Sequence, residues 1–133
     1  YFLIDNHVAM SPWNNLEEAG PQLRSTLTGV APLVVGLAGL LMRVRWLVAL
    51  VALWSVIWFA AQLQQWWLPY LFGPTPLHDD FSWFTRQGYD QTLTVLPRSF
   101  DRPTPDAQHL TLQILSATTA VMLVRAVLTP ERQ

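Results

Sequence analysis

Charged side chains are missing from three long stretches of this chain, at residues 25–42, 46–78 and 107–124. A helix of a soluble protein places charges on its wet face about once a turn, so a soluble helical bundle is disfavoured. An apolar run of ~20 residues covers the ~30 Å hydrocarbon core of a bilayer at 1.5 Å per residue. Each stretch therefore predicts one transmembrane helix, with bounds at about 23–42, 46–70 and 105–128.

The predicted fold class is an all-α integral membrane bundle, a single domain over residues 1–133 with short interfacial helices in its polar segments. Residues 1–4 are apolar and are followed by Asp5. They could be the end of an earlier span, which would make four transmembrane helices, or a processed N-terminus. No basic region precedes an apolar core, so an intact signal peptide is not predicted.

Small residues predict which faces of the long helices pack. Gly29 and Gly36 are seven residues apart and share a face of the first helix, and Gly39 lies one turn further on. Ala117 and Ala120 lie on one side of the third. Small residues allow membrane helices to approach closely. We expect the glycine face to pack against the second helix; a homo-oligomer interface is the alternative.

The positions of the arginines predict which end of the bundle lies in the cytoplasm. One helix from residue 25 to 70 would extend ~69 Å, more than twice the hydrocarbon thickness, so the chain must turn between them. Arg43 and Arg45 indicate where, and Arg125 lies near the same surface at the end of the third helix. Short arginine-bearing segments stay in the cytoplasm. The turn and the C-terminus are therefore predicted to be cytoplasmic and the loop 71–104 outside, in a bacterial plasma membrane.

The N-terminal polar segment predicts a short surface helix. Ser11 followed by Pro12 has the pattern of an N-cap and a first helical residue, which indicates a helix over about 12–19. Trp13 is expected to face the membrane interface or a partner.

The loop 71–104 predicts a second short helix. Asp79 or Asp80 would cap it and Gly88 would end it. Phe81, Trp83 and Phe84 are expected to press it onto the membrane surface or a partner. After the loop, Thr104 before Pro105 is expected to cap the third long helix.

Composition removes several classes of function. Only 13% of the 133 residues are charged, against roughly a quarter in soluble domains. The net charge is −1, which gives no basic surface for nucleic acid. The chain has no cysteine, and so no thiolate metal site and no cysteine nucleophile.

The histidines are the candidate metal ligands. His7, His78 and His109 all fall on the predicted outer side, and Asp79 adjoins His78. Imidazoles with a carboxylate could bind zinc or copper, and two imidazoles could ligate a haem. Their spacing matches no metal motif, so independent surface histidines are the alternative. An acid–base pair of His78 and Asp79 would lack an accompanying nucleophile, so an enzyme is disfavoured.

Three functions remain open, and the cofactor is not predicted. The first is a non-catalytic subunit or scaffold that packs against a membrane-protein partner or a second copy, with lipid around it. The second is a metal or haem site, and the third is a small oligomeric channel or transporter around the glycine face. The segments 12–15 and 96–109 have the character of motifs, and both fall on the outer side. We therefore expect them to share one surface.

Overall fold

The computed structural model describes residues 1–16, 22–75, 81–99 and 101–129. Five α-helices and one 3-10 helix form in these ranges, with no strand in them. The long helices are α2 (Leu23–Leu41), α3 (Arg45–Phe72) and α5 (Ala107–Leu128). The short ones are α1 (Phe2–Asp5), α4 (Ser82–Arg86) and the 3-10 helix Tyr89–Gln91.

All three long helices are long and apolar enough to cross a membrane. This confirms the all-helical prediction with three such segments, and the predicted bounds agree within two residues. At 28 residues, α3 extends ~42 Å, which exceeds the ~30 Å hydrocarbon core by about two turns. Its C-terminal turns therefore extend beyond the apolar part of the other helices.

The middle helix, α3, holds the bundle together. It packs most extensively along α5 and also against α2, whereas α2 and α5 do not pack against each other. A small buried core forms between α3 and α5 from Val48, Val51, Ala52 and Leu123. Most of the remaining apolar surface of the three helices faces outwards.

Two of the three glycines predicted to pack, Gly36 and Gly39, lie close to α3. A Cβ on Gly36 would meet Val51 Cγ1 at 3.0 Å, and one on Gly39 would meet Leu47 Cβ at 2.9 Å. Gly29 instead faces the ring of Phe2 in α1. The chain thus covers this glycine face with its own α1 and α3.

The other predicted packing residues differ in burial. Ala120 is buried and Ala117 is half-buried on α5. Arg125, near the end of that helix, is exposed, as expected for an anchor.

The turn between α2 and α3 is a Schellman motif at residues 42–44, one residue earlier than predicted. Val44 N donates to Gly39 O (2.8 Å) and Arg43 N donates to Leu40 O (3.2 Å), the two bonds that define this helix ending. Arg43 has φ 55°, the left-handed conformation that glycine usually supplies. Arg45 is already the first residue of α3, and its guanidinium donates to Val127 O (2.6 Å) at the end of α5.

Replacing Arg43 with glycine is expected to raise the free energy of unfolding by about 1 kcal/mol. The left-handed conformation costs a residue with a Cβ about 1–2 kcal/mol, part of which is offset by the greater freedom of glycine in the unfolded chain. Helicity measured while SDS is titrated into detergent-purified protein checks this. Arg43→Ala is the control, because it removes the charge and keeps the strain. Equal stabilities of the two variants would contradict the prediction.

Two predicted helix starts are wrong. Residues 11–15 form a turn and irregular chain with a cis Ser11–Pro12 peptide, so the helix predicted over 12–19 does not begin at Pro12. Its later residues, from Glu17 onwards, lie outside the described residues. The N-cap of α5 is Asp106 and not Thr104, because the Asp106 carboxylate accepts from His109 N.

The loop helix is present as predicted, over Ser82–Arg86. Gly88 follows it with φ 74°, the left-handed conformation expected of a helix stop. The predicted caps, Asp79 and Asp80, lie outside the described residues.

Candidate functional site

A layer of polar segments covers one end of the bundle, where α2 and α5 begin and α3 ends. We call this layer the polar cap; it comprises residues 1–16, 22, 81–99 and 101–106. Main-chain hydrogen bonds join its segments, among them Leu93 N to Pro12 O (2.7 Å) and Ala107 N to Leu93 O (2.8 Å). The two motif-like segments, 12–15 and 96–109, are therefore neighbours in the cap.

Asp5 ties the N-terminal segment to α5. Its buried carboxylate accepts from Trp13 Nε1 (3.1 Å) through one oxygen and from Gln108 Nε2 (2.9 Å) through the other. Its main-chain carbonyl accepts from Asn14 Nδ2 (3.0 Å). Burying a carboxylate is costly unless hydrogen bonds replace its water, and both oxygens are bonded here. The arrangement fixes a residue near the start of the chain to one 103 positions later.

Asp106 is the second centre of the cap, and its side chain is fully buried. One carboxylate oxygen accepts from His109 N (2.7 Å) and contacts His109 Nδ1 (2.8 Å). The other accepts from Thr92 Oγ1 (3.0 Å). An antiparallel bridge between Thr94 and Asp106 holds the loop in place beside it. One carboxylate thus caps α5, orients an imidazole and fastens the loop.

An aromatic cluster underlies these hydrogen bonds. The His109 ring lies 3.9 Å from the Trp66 ring, centroid to centroid, at an angle of 32°. Tyr89 and Phe84 meet Trp66 edge-on at 5.0 Å and 5.1 Å. Trp66 is 1% exposed although it stands near the end of the longest helix. The polar cap and the C-terminal end of α3 therefore share one aromatic core.

This cluster corrects one of the predicted partner contacts. Phe84 is buried against Trp66 and does not press on a surface outside the chain. Trp13 is half-buried, and its indole N–H is bonded to Asp5. Trp83 remains exposed, and Phe81 is partly exposed, so these two keep an outward face.

The histidines do not form a metal site in the described ranges. His7 Nε2 lies 3.0 Å from Thr26 Oγ1, and His109 is held by Asp106 and Trp66. No group of three histidines or carboxylates suited to a metal occurs within the described part of the chain. His78 and Asp79 lie outside it. The contact between His109 Nδ1 and the Asp106 carboxylate has the geometry of an acid–base pair, but the same carboxylate oxygen also caps α5 by accepting from His109 N.

Two open clefts indent the polar cap. The first, the aromatic cleft, has a volume of about 480 Å³. Its floor is formed by Trp66, Phe84 and Tyr89, and its walls by residues of α4 and of the loop 94–104. Thr85 and Thr94 add hydroxyl groups to the walls. The cleft thus combines flat apolar surface with hydrogen-bonding groups around it, a combination common in binding sites.

The second cleft, the arginine groove, lies beside the end of α3 and also measures about 480 Å³. It is bounded by Tyr70 and Leu71 on the helix and by the loop residues Pro97, Arg98, Ser99, Asp101 and Arg102. The Tyr70 hydroxyl donates to Pro97 O (3.2 Å), which holds the loop against the helix.

The charges of the arginine groove are arranged by short-range bonds. Arg98 donates to the main-chain carbonyls of Asp90 and Thr92. Arg102 Nε lies 3.6 Å from the Asp101 carboxylate, which is 75% exposed. A hydrogen bond from the Ser99 hydroxyl, with a smaller contribution from Arg102, lowers the pKa of Asp101. That carboxylate is therefore ionised at neutral pH.

Tyr89 is expected to ionise late. Burial, with the negative charge of Asp106 as the second cause, raises the pKa of Tyr89 from 10.0 to about 12. The folded cap keeps the phenol proton at a pH where the unfolded chain has lost it. This contribution to stability is present below pH 10 and is lost as the pH rises through about 12. Absorbance of tyrosinate at 295 nm checks this: Tyr89→Phe should remove the part that appears near pH 12. If Tyr89→Phe instead removed absorbance that appears near pH 10, the prediction would be contradicted.

Comparison with models of known protein families, with curated proteins and with solved structures gave no match. The function must therefore be argued from the geometry of the cap and the helices alone.

Sequence reasoning missed the residues that organise the cap. Asp5, Asp106 and Trp66 are its centres, and none of them stood out as a site residue. The only usable signal was the motif-like character of 12–15 and 96–109, because it pointed to a surface that those segments share.

Proposed function

We propose that the three long helices cross a lipid bilayer and that the protein is a non-catalytic membrane subunit which presents its polar cap to a partner. The observation that carries this is the separation of the surface into two kinds. Polar groups are gathered and hydrogen-bonded at one end, whereas the helices expose apolar side chains along their length.

The exposed helix surface supports membrane insertion. Leu37, Leu53, Ile57 and Met122 are each more than half exposed. Soluble monomers rarely expose contiguous apolar patches larger than a few hundred Å². In a bilayer the same side chains meet lipid, and the intrahelical bonds satisfy the backbone.

The arginines support the orientation. Arg43, Arg45 and Arg125 lie at the end of the bundle opposite the polar cap, around a turn of three residues. Basic residues in short loops favour the cytoplasmic side. We therefore place the turn and the C-terminal end of α5 in the cytoplasm and the polar cap outside, in a bacterial plasma membrane.

The polar cap supports a binding role rather than a catalytic one. Its carboxylates are bonded to structural groups, and its segments are cross-linked over most of the chain. A surface fixed before binding loses little conformational entropy when a partner docks. The aromatic cleft, with Phe81 at its edge and Trp83 exposed beside it, is the part of this surface best suited to a protein partner.

Cysteine labelling tests the orientation, because the chain has no cysteine of its own. Thr85→Cys lies in the aromatic cleft, and Met42→Cys lies in the turn at the other end; both positions are exposed. In intact cells a membrane-impermeant maleimide should label the first and not the second, which should react only after permeabilisation. Labelling of both, or recovery of the protein in buffer without detergent, would overturn the proposal.

Photo-cross-linking tests the binding role. A benzophenone side chain at Thr85 should give one protein adduct of defined mass in native membranes, and Trp83→Ala in the same chain should weaken it. The matched position is Thr118, which is exposed on α5 and should cross-link to lipid. Absence of a protein adduct at Thr85, or an adduct that Trp83→Ala leaves unchanged, would contradict a partner at this cleft.

A further inference from the structure

The arginine groove stands at the level where α3 leaves its apolar stretch. Tyr70 and Leu71 bound it and belong to the last turn of the helix, which ends at Phe72. Trp67, which is partly exposed, lies one turn earlier. Tryptophan and tyrosine gather at the headgroup level of membrane proteins. On the proposed insertion, on which this inference rests, the groove opens at the outer headgroups.

Positive charge exceeds negative charge in this groove. Arg98 and Arg102 bound it, against the single carboxylate of Asp101. Arg98 uses two donors on main-chain carbonyls, which orient its guanidinium without neutralising the charge. The Arg102 side chain is 37% exposed, and its Nη1 donates to Tyr70 O on α3 at 3.4 Å. Guanidinium groups held in place in this way suit a phosphate, which accepts several hydrogen bonds.

An apolar strip continues from the groove down α3. Leu68 and Leu71 are three residues apart and so share a face of the helix, and both are exposed, at 40% and 55%. Phe72, beside them, is 76% exposed. A free phosphate would make no apolar contact with such a strip. The acyl chain of a phospholipid would lie along it while the headgroup contacts the arginines.

We propose that the arginine groove binds the headgroup phosphate of an anionic phospholipid, with an acyl chain lying along Leu68 and Leu71. The guanidinium of Arg102 supplies the exposed donors, and Arg98 supplies a fixed positive charge. Asp101 remains beside Arg102, and its bond from Ser99 keeps the carboxylate turned to the loop.

Native mass spectrometry of the detergent-purified protein tests this proposal. We expect phosphatidylglycerol to bind at least about tenfold more tightly than phosphatidylcholine, which corresponds to ~1.4 kcal/mol. Arg102→Gln should remove this preference. The matched control is Arg24→Gln, because Arg24 is exposed at the same end of the bundle, outside both clefts, and loses the same charge. Inorganic phosphate is the third probe and should not compete at millimolar concentration.

Three results would overturn the proposal: equal binding of the two lipids, an unchanged preference in Arg102→Gln, or full competition by inorganic phosphate, which would make the groove a site for a soluble anion. If Tyr89 in Arg102→Gln still ionises near pH 12, the cap of this variant is folded. Because binding is measured in detergent, its failure leaves the cysteine-labelling test of orientation untouched.

Discussion

Replacing Asp106 with alanine is expected to lower the free energy of unfolding of the polar cap by about 2–4 kcal/mol. The change removes the N-cap of α5, which is worth about 0.5–2 kcal/mol. It also leaves His109 Nδ1 without its partner, at about 1–3 kcal/mol, whereas the Thr92 hydroxyl keeps its bond to Tyr89 O. Thermal unfolding in detergent, followed by near-ultraviolet circular dichroism, measures the loss, because His109 stacks on Trp66 and disturbs its signal when released.

Asp90→Ala is the matched control for this change. Asp90 is exposed in the same cap, and its side chain takes no part in the Asp106 network, so we expect less than about 0.5 kcal/mol. Asp106→Asn should fall between the two, since an amide oxygen can still cap the helix. If the alanine variants at positions 106 and 90 unfold at the same temperature, Asp106 does not organise the cap.

The three long helices could be predicted from sequence because one physical requirement fixes them. A helix able to cross a membrane must be apolar and about 20 residues long, and both properties are visible without knowing any contact. The end of α3 was less predictable. Its last turns carry glutamines and tryptophans, which suit a membrane interface, yet the structure buries Trp66 as the base of the cap.

The polar cap could not be predicted, since its bonds join residues far apart in the chain. Asp5 and Gln108 are 103 positions apart, and the local sequence around either residue does not indicate the other. An aspartate in a polar segment is exposed by default, and only paired donors make its burial tolerable. The same reason explains Phe84, whose burial depends on its edge-on contact with Trp66, a residue of α3.

The turn at residues 42–44 shows a different limit. Its hydrogen bonds are those of a common helix ending, but the usual glycine is replaced by Arg43. Sequence reasoning identified the place from the length of the apolar stretch and from the charges. It could not assign the geometry, because the residue that normally signals a left-handed turn is absent.

Replacing Gly39 with leucine is expected to lower the free energy of unfolding of the helix bundle by about 3 kcal/mol. A Cβ at this position would lie 2.9 Å from Leu47 Cβ and 3.3 Å from Val48 N, so main-chain atoms of α3 must move. The turn leaves little room, because Gly39 O also accepts from Val44 N. Titration of the purified protein with SDS, followed by helicity, measures the loss.

Two other positions on α2 separate packing from the mere addition of a large side chain. Ala31→Leu introduces the same side chain on an exposed face and should change stability by less than about 0.5 kcal/mol. Gly36→Leu should lie between them, since the three atoms nearest to a Cβ there all belong to the Val51 side chain and none to the main chain. The loss of stability should therefore be largest at Gly39, smaller at Gly36 and smallest at Ala31. The reason is that main-chain atoms must move at Gly39, whereas a side chain can move at Gly36. Were Gly39→Leu as stable as Ala31→Leu, the close approach of α2 and α3 would be wrong, and the glycine face would again be free to meet a second copy.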